Sequence, residues 1–289
     1  MFKLNNLQQI ISLAPYTTFK IGGPAKFFVV VKNEEEMIDA LKWAKENNQP
    51  YFILGHGANI LVSDKGFDGL VIKNEMKRLE IRDEEILADS GVVLADLIGQ
   101  YASKGLSGLE FLAGVPSTLG GAIFGNAGSP EEAIGNFITH VRVLDKELKV
   151  KELSKEDCGF AYRQSVFQNN DYIILSAALK LEKGNTEKII ESIKNLMLKK
   201  KEMQDLEHPS AGCVFKNPEG YSAGQLIDEL DLKGKKIGQA QISEKHANYI
   251  INLGGATADQ VVQLICYIKQ QVRDKKGVLL CEEIKYIGF

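Results

Sequence analysis

The sequence lacks the features that would narrow its class at once. It has no C-x-x-C pair, because Cys158, Cys213, Cys266 and Cys281 stand far apart, and His56, His140, His208 and His246 share no ligand-like spacing with them. A zinc site or a disulfide framework is therefore not indicated, no metal is expected, and reduced thiols in a cytoplasm account for the pattern. No stretch approaches the ~18 consecutive apolar residues of a membrane helix. The N-terminal MFKLNNLQQIISLAPY holds no sustained apolar segment of the kind signal peptides carry. The expectation is a cytoplasmic protein with no membrane insertion. Charge of one sign is missing too: 35 Lys and Arg face 38 Asp and Glu, interspersed, for a net charge of -3. That balance leaves no electrostatic footprint for nucleic acid. Internal repeats and low-complexity segments are likewise absent. What remains is a chain of 289 residues, 44% hydrophobic and 25% charged, long enough for two or three modest globular domains.

Glycine, by contrast, is concentrated where it is least expected. The stretch Gly108 to Gly128, GLEFLAGVPSTLGGAIFGNAG, sets Gly108, Gly114, Gly120, Gly121, Gly125 and Gly128 among Leu, Phe, Ala, Val and Ile with almost no charge. Glycines in a solvated linker come with Ser, Asn and charged residues. Here the composition points to a buried loop whose backbone approaches something closely, with N–H groups left to face a ligand such as a flat, partly anionic cofactor. A tight set of turns between core strands is the alternative.

Along the chain, Phe27 to Val31 reads as a strand, Glu34 to Glu46 as an amphipathic helix and Tyr51 to Leu54 as a strand. Before them, Thr18-Phe-Lys-Ile-Gly-Gly-Pro-Ala25 reads as a tight Gly-Gly-Pro turn that orders the chain or touches a ligand. After them, Gly55-His-Gly-Ala-Asn59 resembles a phosphate cradle, but it lacks the third glycine and following helix of a dinucleotide-binding turn. Leu70 to Asp89 reads as a β-ribbon and Val92 to Ser103 as a helix closed by Lys104-Gly105. Ile138 to Leu144 and Val150 to Leu153 form a hairpin, Ser154 caps a short turn, and Tyr172 to Leu181 is a strand. A boundary is placed at Lys183-Gly-Asn185. The helix Thr186 to Gln204 puts Ile189, Ile193, Leu196 and Met197 on one face, with Lys199, Lys200 and Lys201 suited to its C-terminal dipole. Ala223 to Leu230 and Thr257 to Arg273 are helical, the second opened by a Thr257-x-x-Gln260 capping box.

Taken in order, several motifs resemble one family. They are Ile-Gly-Gly-Pro-Ala at 21 to 25, Gly-Leu-Glu-Phe-Leu-Ala-Gly-Val-Pro at 108 to 116, and Phe-Ala-Tyr-Arg at 160 to 163. Ala-Gly-Cys-Val-Phe-Lys-Asn-Pro at 211 to 218, Ser-Glu-Lys-His-Ala-Asn at 243 to 248 and a terminal Leu-x-x-Glu-Ile-x-x-Ile-Gly complete the set. Together they cover essentially the whole chain, which is similar to the UDP-N-acetylenolpyruvoylglucosamine reductase family in its shorter form. The resemblance implies an α+β flavoprotein. An FAD-binding fold of the vanillyl-alcohol-oxidase (PCMH) type would occupy two subdomains, 1–66 and 67–184. A C-terminal α/β substrate-binding domain, 185–289, would end in a catalytic strand. It also implies FAD as cofactor, NADPH as hydride donor, and reduction of UDP-N-acetylglucosamine enolpyruvate to UDP-N-acetylmuramate for peptidoglycan synthesis. A monomer is expected.

By the same carry-over, Gly55, Gly57, Ala58, Asn59, Ile60, Gly114, Val115, Pro116, Ser117, Thr118, Gly121 and Asn126 would surround the FAD diphosphate and ring. Tyr162, Lys216, Asn217 and His246 would meet the substrate. Hydride delivery to the enol ether leaves negative charge on the adjacent carbon and its carboxylate. Arg163 would hold that charge, since a guanidinium stays protonated and offers a planar fork of donors. Glu283 would match the family's catalytic glutamate, donating a hydrogen bond to the enolate if burial keeps it protonated, while Glu282 would face solvent from the same strand. Cys213 departs from the serine usual there. A thiol with a reference pKa near ~8.5 is the stronger acid and can still protonate the carbanion, but a thiolate stabilised by Lys216 would be a poor donor and open to oxidation. Ala58 for serine and Ser117 for glycine are milder departures. A related flavin oxidase would keep the glycine-rich loop without needing Arg163, the 211 to 218 motif and Glu283 together. A non-catalytic nucleotide-binding module would need no proton donor.

Overall fold

The computed structural model describes residue 4 and residues 6–289. Two units divide the chain, each assembled from separated stretches: Val29–His56 with Ile72–Lys199 in the first, and Leu7–Phe28, Gly57–Val71 and Lys200–Phe289 in the second. Two of the changes of unit fall within strands Pro24–Val31 and Phe67–Asn74, and two more at His56/Gly57 and within helix Thr186–Met203; the sheet order is Gln8–Ser12, Pro24–Val31, Phe67–Asn74, Tyr51–Leu54.

The first unit is built on an antiparallel sheet ordered Val150–Ser154, Ile138–Leu144, Ile173–Lys180, Glu85–Asp89, Leu79–Arg82. Asp145 makes the hairpin turn: its Oδ1 accepts from the amides of Glu147 and Lys149, both at 2.9 Å, and Oδ2 pairs with Lys151 Nζ. The Lys149 amide and the Lys151 ammonium hold this carboxyl below the usual range. Helix α1, Glu34–Glu46, keeps its expected bounds because Asn33 caps it, accepting from the Glu36 amide, with Glu34, Glu35 and Glu36 in the first turn. Helix α2, Leu94–Ser103, begins two residues later than expected, and its Leu94, Leu97 and Tyr101 are buried. They pack with Leu119, Ile123, Val141, Val143 and Leu179 into one core. Short helix α3, Leu119–Gly125, arises inside the glycine-rich stretch. Helix α4, Thr186–Met203, buries Ile189, but Met197 is 52% exposed, against the expected apolar face. At 100° per residue Met197 sits roughly 80° around the helix from Ile189, which turns it out of the buried stripe.

The second unit has a sheet ordered Ser210–Cys213, Tyr249–Asn252, Ala240–Ile242, Lys236–Ile237, all antiparallel. A parallel pair joins Ile60–Val62 to Lys285–Ile287. Helices α5, Ala223–Asp228, and α6, Ala258–Lys276, contribute Leu226, Ile227, Val261, Leu264, Ile265 and Ile268 to a second core with Ile242 and Ile250. Of the expected turn over 18–25, the turn itself falls at Thr18–Phe19, closed by the Lys20 amide on Thr17 O, while Gly22-Gly23 leads directly into strand Pro24–Val31. Close approach explains the glycine instead: a Cβ on Gly23 would come within 2.2 Å of Asp64 O. The terminal strand is also shorter than expected and starts at Lys285, so Glu283 lies ahead of it. Glu282 does not face solvent freely, since its carboxylate is half-buried and pairs with Lys269 Nζ at 2.8 Å. Simple alternation fails there because the backbone around Glu282 forms an isolated bridge to Phe215 and not a continuous strand.

Helix α6 starts from two caps. Thr257 and Gln260 form the expected capping box, and Asp64, remote in sequence, accepts from the amides of Ala258 at 2.9 Å and Asp259 at 3.1 Å. A carboxylate at this end satisfies orphan donors and opposes the positive pole of the helix. Replacing Asp64 by Ala should therefore cost about 1–2 kcal/mol, read as a lower urea midpoint with an unchanged denaturant slope, whereas Asp64→Asn should lose less.

Candidate functional site

In the first unit the glycine-rich stretch is a structured elbow. Thr118 caps α3, its Oγ1 accepting from the Gly121 amide at 3.3 Å. The Leu119 and Gly120 amides donate to Val92 O and Ser90 O, both at 2.8 Å, and the Val115 and Ser117 amides turn back on Leu112 O and Val115 O. The expectation of amides left for a ligand therefore holds at fewer positions than the glycine count suggested. Among the described residues, the Gly114 and Thr118 amides have no acceptor within the chain. Gly114 sits at φ +76, a conformation costly for a residue with a Cβ. Gly55 lies against this elbow, where a Cβ would come within 2.6 Å of Thr118 Oγ1. Asn126 ends α3 in the left-handed region; its Oδ1 accepts from the Gly135 amide at 3.0 Å and its Nδ2 donates to Ala161 O at 2.9 Å. Both ends of its amide are thus engaged in tying the loop after α3 to the Phe-Ala-Tyr-Arg segment. A cavity of about 360 Å³ opens beside that tie, with Asn126, Gly135, Lys155 and Tyr162 in its wall.

Tyr162 and Arg163 are the two central residues of a minimal hairpin, closed by Ala161 and Gln164 exchanging backbone hydrogen bonds of 3.2 and 3.0 Å. Arg163 adopts φ +53, unusual for a side chain of its size. Gln168 Nε2 bonds Arg163 O at 3.1 Å and Phe124 O at 2.9 Å, while Ser165 Oγ also donates to Phe124 O, so the turn is held from two sides. The guanidinium lies 5.8 Å from the Tyr162 ring centre, close enough for a cation–π contact that fixes its direction. A strained residue over-determined by its surroundings is a common signature of a working position.

In the second unit the Gly57–Ile60 segment offers what the elbow mostly does not. Among the described residues, the successive amides of Gly57, Ala58 and Asn59 have no acceptor within the chain. Gly57 is buried at φ +72, and a Cβ there would meet Tyr16 O at 2.2 Å. Consecutive unpaired amides are the donor set of an anion-binding nest. Those donors suit a diphosphate, so the residues present fit the FAD that the sequence implied.

The polar residues of the last third come together around one short ladder in the same unit. Phe215 and Glu282 lie opposite one another, the Glu283 amide donates to Val214 O at 2.7 Å, and the Lys216 amide to Cys281 O at 2.9 Å. Gly212, at φ +77, lets the chain bulge just before Cys213. Asn248 locks the ladder: its side chain accepts from the Phe215 amide at 2.9 Å and donates to Phe215 O at 2.8 Å, and it is 4% exposed. Asn59 reaches the same place, its Nδ2 donating to Glu283 O at 3.2 Å. Cys213, Lys216 and Glu283 are each half-buried here. Lys285, whose ammonium burial and the nearby Lys216 hold below the ordinary range while Glu283 opposes them, belongs to the same cluster.

Asn217 Oδ1 accepts from the Ala223 amide at 3.0 Å, at the start of α5. His246 packs 4.5 Å from the Tyr249 ring centre, and its Nδ1 accepts from the Asn248 amide at 3.3 Å, which leaves the proton of the neutral ring on Nε2. Burial is the main reason its imidazole lies below the ordinary histidine range. Of the other thiols, Cys158 is fully buried, and burial, with Asp157 and Glu156, pushes it up to about 11, so it is no nucleophile. Asn248 and Lys285 were missed from sequence; Asn248 stands in the quoted Ser-Glu-Lys-His-Ala-Asn motif, but its partner at Phe215 is 33 residues away.

The comparisons with known proteins agree with this layout. A family model described as UDP-N-acetylenolpyruvoylglucosamine reductase, C-terminal domain, matches residues 204–287, and one described as FAD binding domain matches 25–154. The fold is accordingly α+β, an FAD-binding part followed by the family's C-terminal domain. Reductases of that name are 42% identical over 284 residues in Prochlorococcus marinus, covering 96% of either chain, and 40% identical over 277 residues in Clostridium perfringens, covering 96% of this chain and 91% of that one. The crystal structure of the Thermus caldophilus UDP-N-acetylenolpyruvylglucosamine reductase superposes with a TM-score of 0.83 at 33% identity, covering 98% of both chains. Across nearly its whole length, this chain belongs to the UDP-N-acetylenolpyruvoylglucosamine reductase family.

Proposed function

We propose that this chain carries out its family's reaction with Arg163, Glu283 and Cys213 at the chemical centre. The reaction is the NADPH-dependent, FAD-mediated reduction of UDP-N-acetylglucosamine enolpyruvate to UDP-N-acetylmuramate, a step of peptidoglycan synthesis. The observation that carries the residue assignment is the ladder that fixes Cys213 and Glu283 on adjoining segments through Val214 O and Asn248.

When bound, FAD supplies the hydride relay between NADPH and the methylene carbon of the enolpyruvyl ether. The Gly57–Asn59 amides, with those of Gly114 and Thr118, are the donors that would hold it. As charge develops on the substrate, the Arg163 fork binds the carboxylate and opposes it in the transition state. Glu283 is assigned the hydrogen bond to the enolate-like oxygen, a role that requires its carboxyl to carry a proton at that step. The Cys213 Sγ proton then passes to the carbon next to the carboxylate, completing the saturated ether, and solvent returns a proton to the sulfur. Tyr162, Lys216, Asn217 and His246 bind the sugar nucleotide. Residues 1–66 and 67–184 serve the flavin and 185–289 the substrate. Among the described residues no helix is long and apolar enough to cross a membrane, and the setting we assign is the cytoplasm, where both nucleotides are made.

The two half-reactions separate these roles. With wild-type protein, flavin absorbance near ~450 nm should bleach with NADPH under anaerobic conditions and return on adding the enolpyruvyl substrate. In Cys213→Ser both phases should persist. In Cys213→Ala the bleaching should be near normal while the return slows by about 10²-fold or more; equal rates in Ala and wild type would remove the thiol from the mechanism. Arg163→Lys should keep its flavin but lose roughly 10²-fold in the return phase, because a point charge replaces the fork.

A further inference from the structure

Strand Phe67–Asn74 ends beside the glycine-rich elbow and Gly55 of the first unit, and its last two side chains fasten them. Asn74 Nδ2 donates to Ser90 Oγ at 2.7 Å, and Ser90 O holds the Gly120 amide. Lys73 Nζ donates to Gly55 O, at the entry to the Gly55–Asn59 segment. Gly55 in turn packs on Thr118, the cap of α3. Lys73 is half-buried, and no carboxylate among the described residues pairs with it. Burial lowers its pKa most, Glu75 partly offsets this, and Lys77 adds to it.

A tie to one carbonyl needs only a neutral donor. A half-buried ammonium whose nearby carboxylate, Glu75, forms no ion pair with it is an expensive way to make it, so the charge itself calls for an explanation. An ammonium has three N–H donors and Gly55 O takes one. A dinucleotide cofactor brings a diphosphate, an anion that suits the open amides of Thr118, on which Gly55 packs, and Gly114 in the same unit.

We propose that Lys73 is the cation for the cofactor's diphosphate: it anchors Gly55 and presents its remaining N–H groups to the phosphate oxygens. The inference rests on the flavin reading and adds to it a residue from outside the glycine motifs. It also predicts that cofactor affinity has an electrostatic part that salt will weaken.

The test is a titration of the flavin-depleted full chain with FAD, followed by flavin fluorescence at several salt concentrations, for wild type, Lys73→Gln and Lys73→Met. Gln keeps a neutral donor within reach of Gly55 O, and Met keeps the length without it. Both variants should bind FAD at least about tenfold more weakly, the loss expected of a charge-assisted hydrogen bond, and their affinity should respond less to salt. Wild-type affinity in the Gln variant, or a loss with unchanged salt response, would show a carbonyl anchor only and overturn the proposal. A second titration, of the FAD-loaded proteins with UDP-N-acetylglucosamine, asks whether the cation serves the substrate's diphosphate instead. Equal affinities in wild type and variants support the cofactor assignment; a loss confined to this arm overturns it. Failure of wild type to take up FAD would defeat the flavin reading itself.

Discussion

Much in the second unit depends on the amide of Asn248. By accepting from Phe215 N and donating to Phe215 O, it satisfies a stretch of buried backbone that has no long strand beside it. Left unpaired, those groups would each cost on the order of 1–3 kcal/mol. With Phe215 fixed, Val214 O is aimed at the Glu283 amide and the Lys216 amide at Cys281 O. The thiol, the lysine and the carboxylate then have defined positions without any of them carrying the fold. Separating the residues that hold the geometry from those assigned to the chemistry leaves position 213 free to vary while the frame around it persists.

The first unit solves a related problem by different means. Its glycine-rich elbow uses small residues for close packing and spends most amides internally, so rigidity comes from Thr118, Asn126 and the carbonyls of Ser90 and Val92. The open donors are found in Gly57 to Asn59, where the chain is short and no helix follows. The missing third glycine and helix, which set this loop apart from a dinucleotide-binding turn, thus correspond to a real difference: the donors it offers are a nest of amides rather than the dipole of a helix starting at the loop.

The sequence made local structure legible wherever cause and effect lie within a few residues. Helix α1 kept its bounds because Asn33 and three glutamates mark its start, and the Thr257 and Gln260 box formed as its spacing required. The motif order identified the family and its cofactor. What could not be seen were partners set by the fold: Asp64 at the start of α6, Asn248 on Phe215, Lys73 on Gly55 and Lys269 on Glu282. Spacing along the chain carries no record of such pairs. Met197 and Gly23 were misjudged for the same reason, since a turn of helix or a Gly-Gly-Pro triplet does not say what packs against it.

The left-handed backbone at Arg163 sets folding and chemistry against each other at a single position. Glycine or asparagine would occupy that conformation with less strain, so any selection for heat resistance alone would drift toward them and away from the guanidinium. In the role proposed for it, arginine there concedes stability to function, and residue 163 is where a thermally hardened descendant of this chain would first reveal which of the two had been selected.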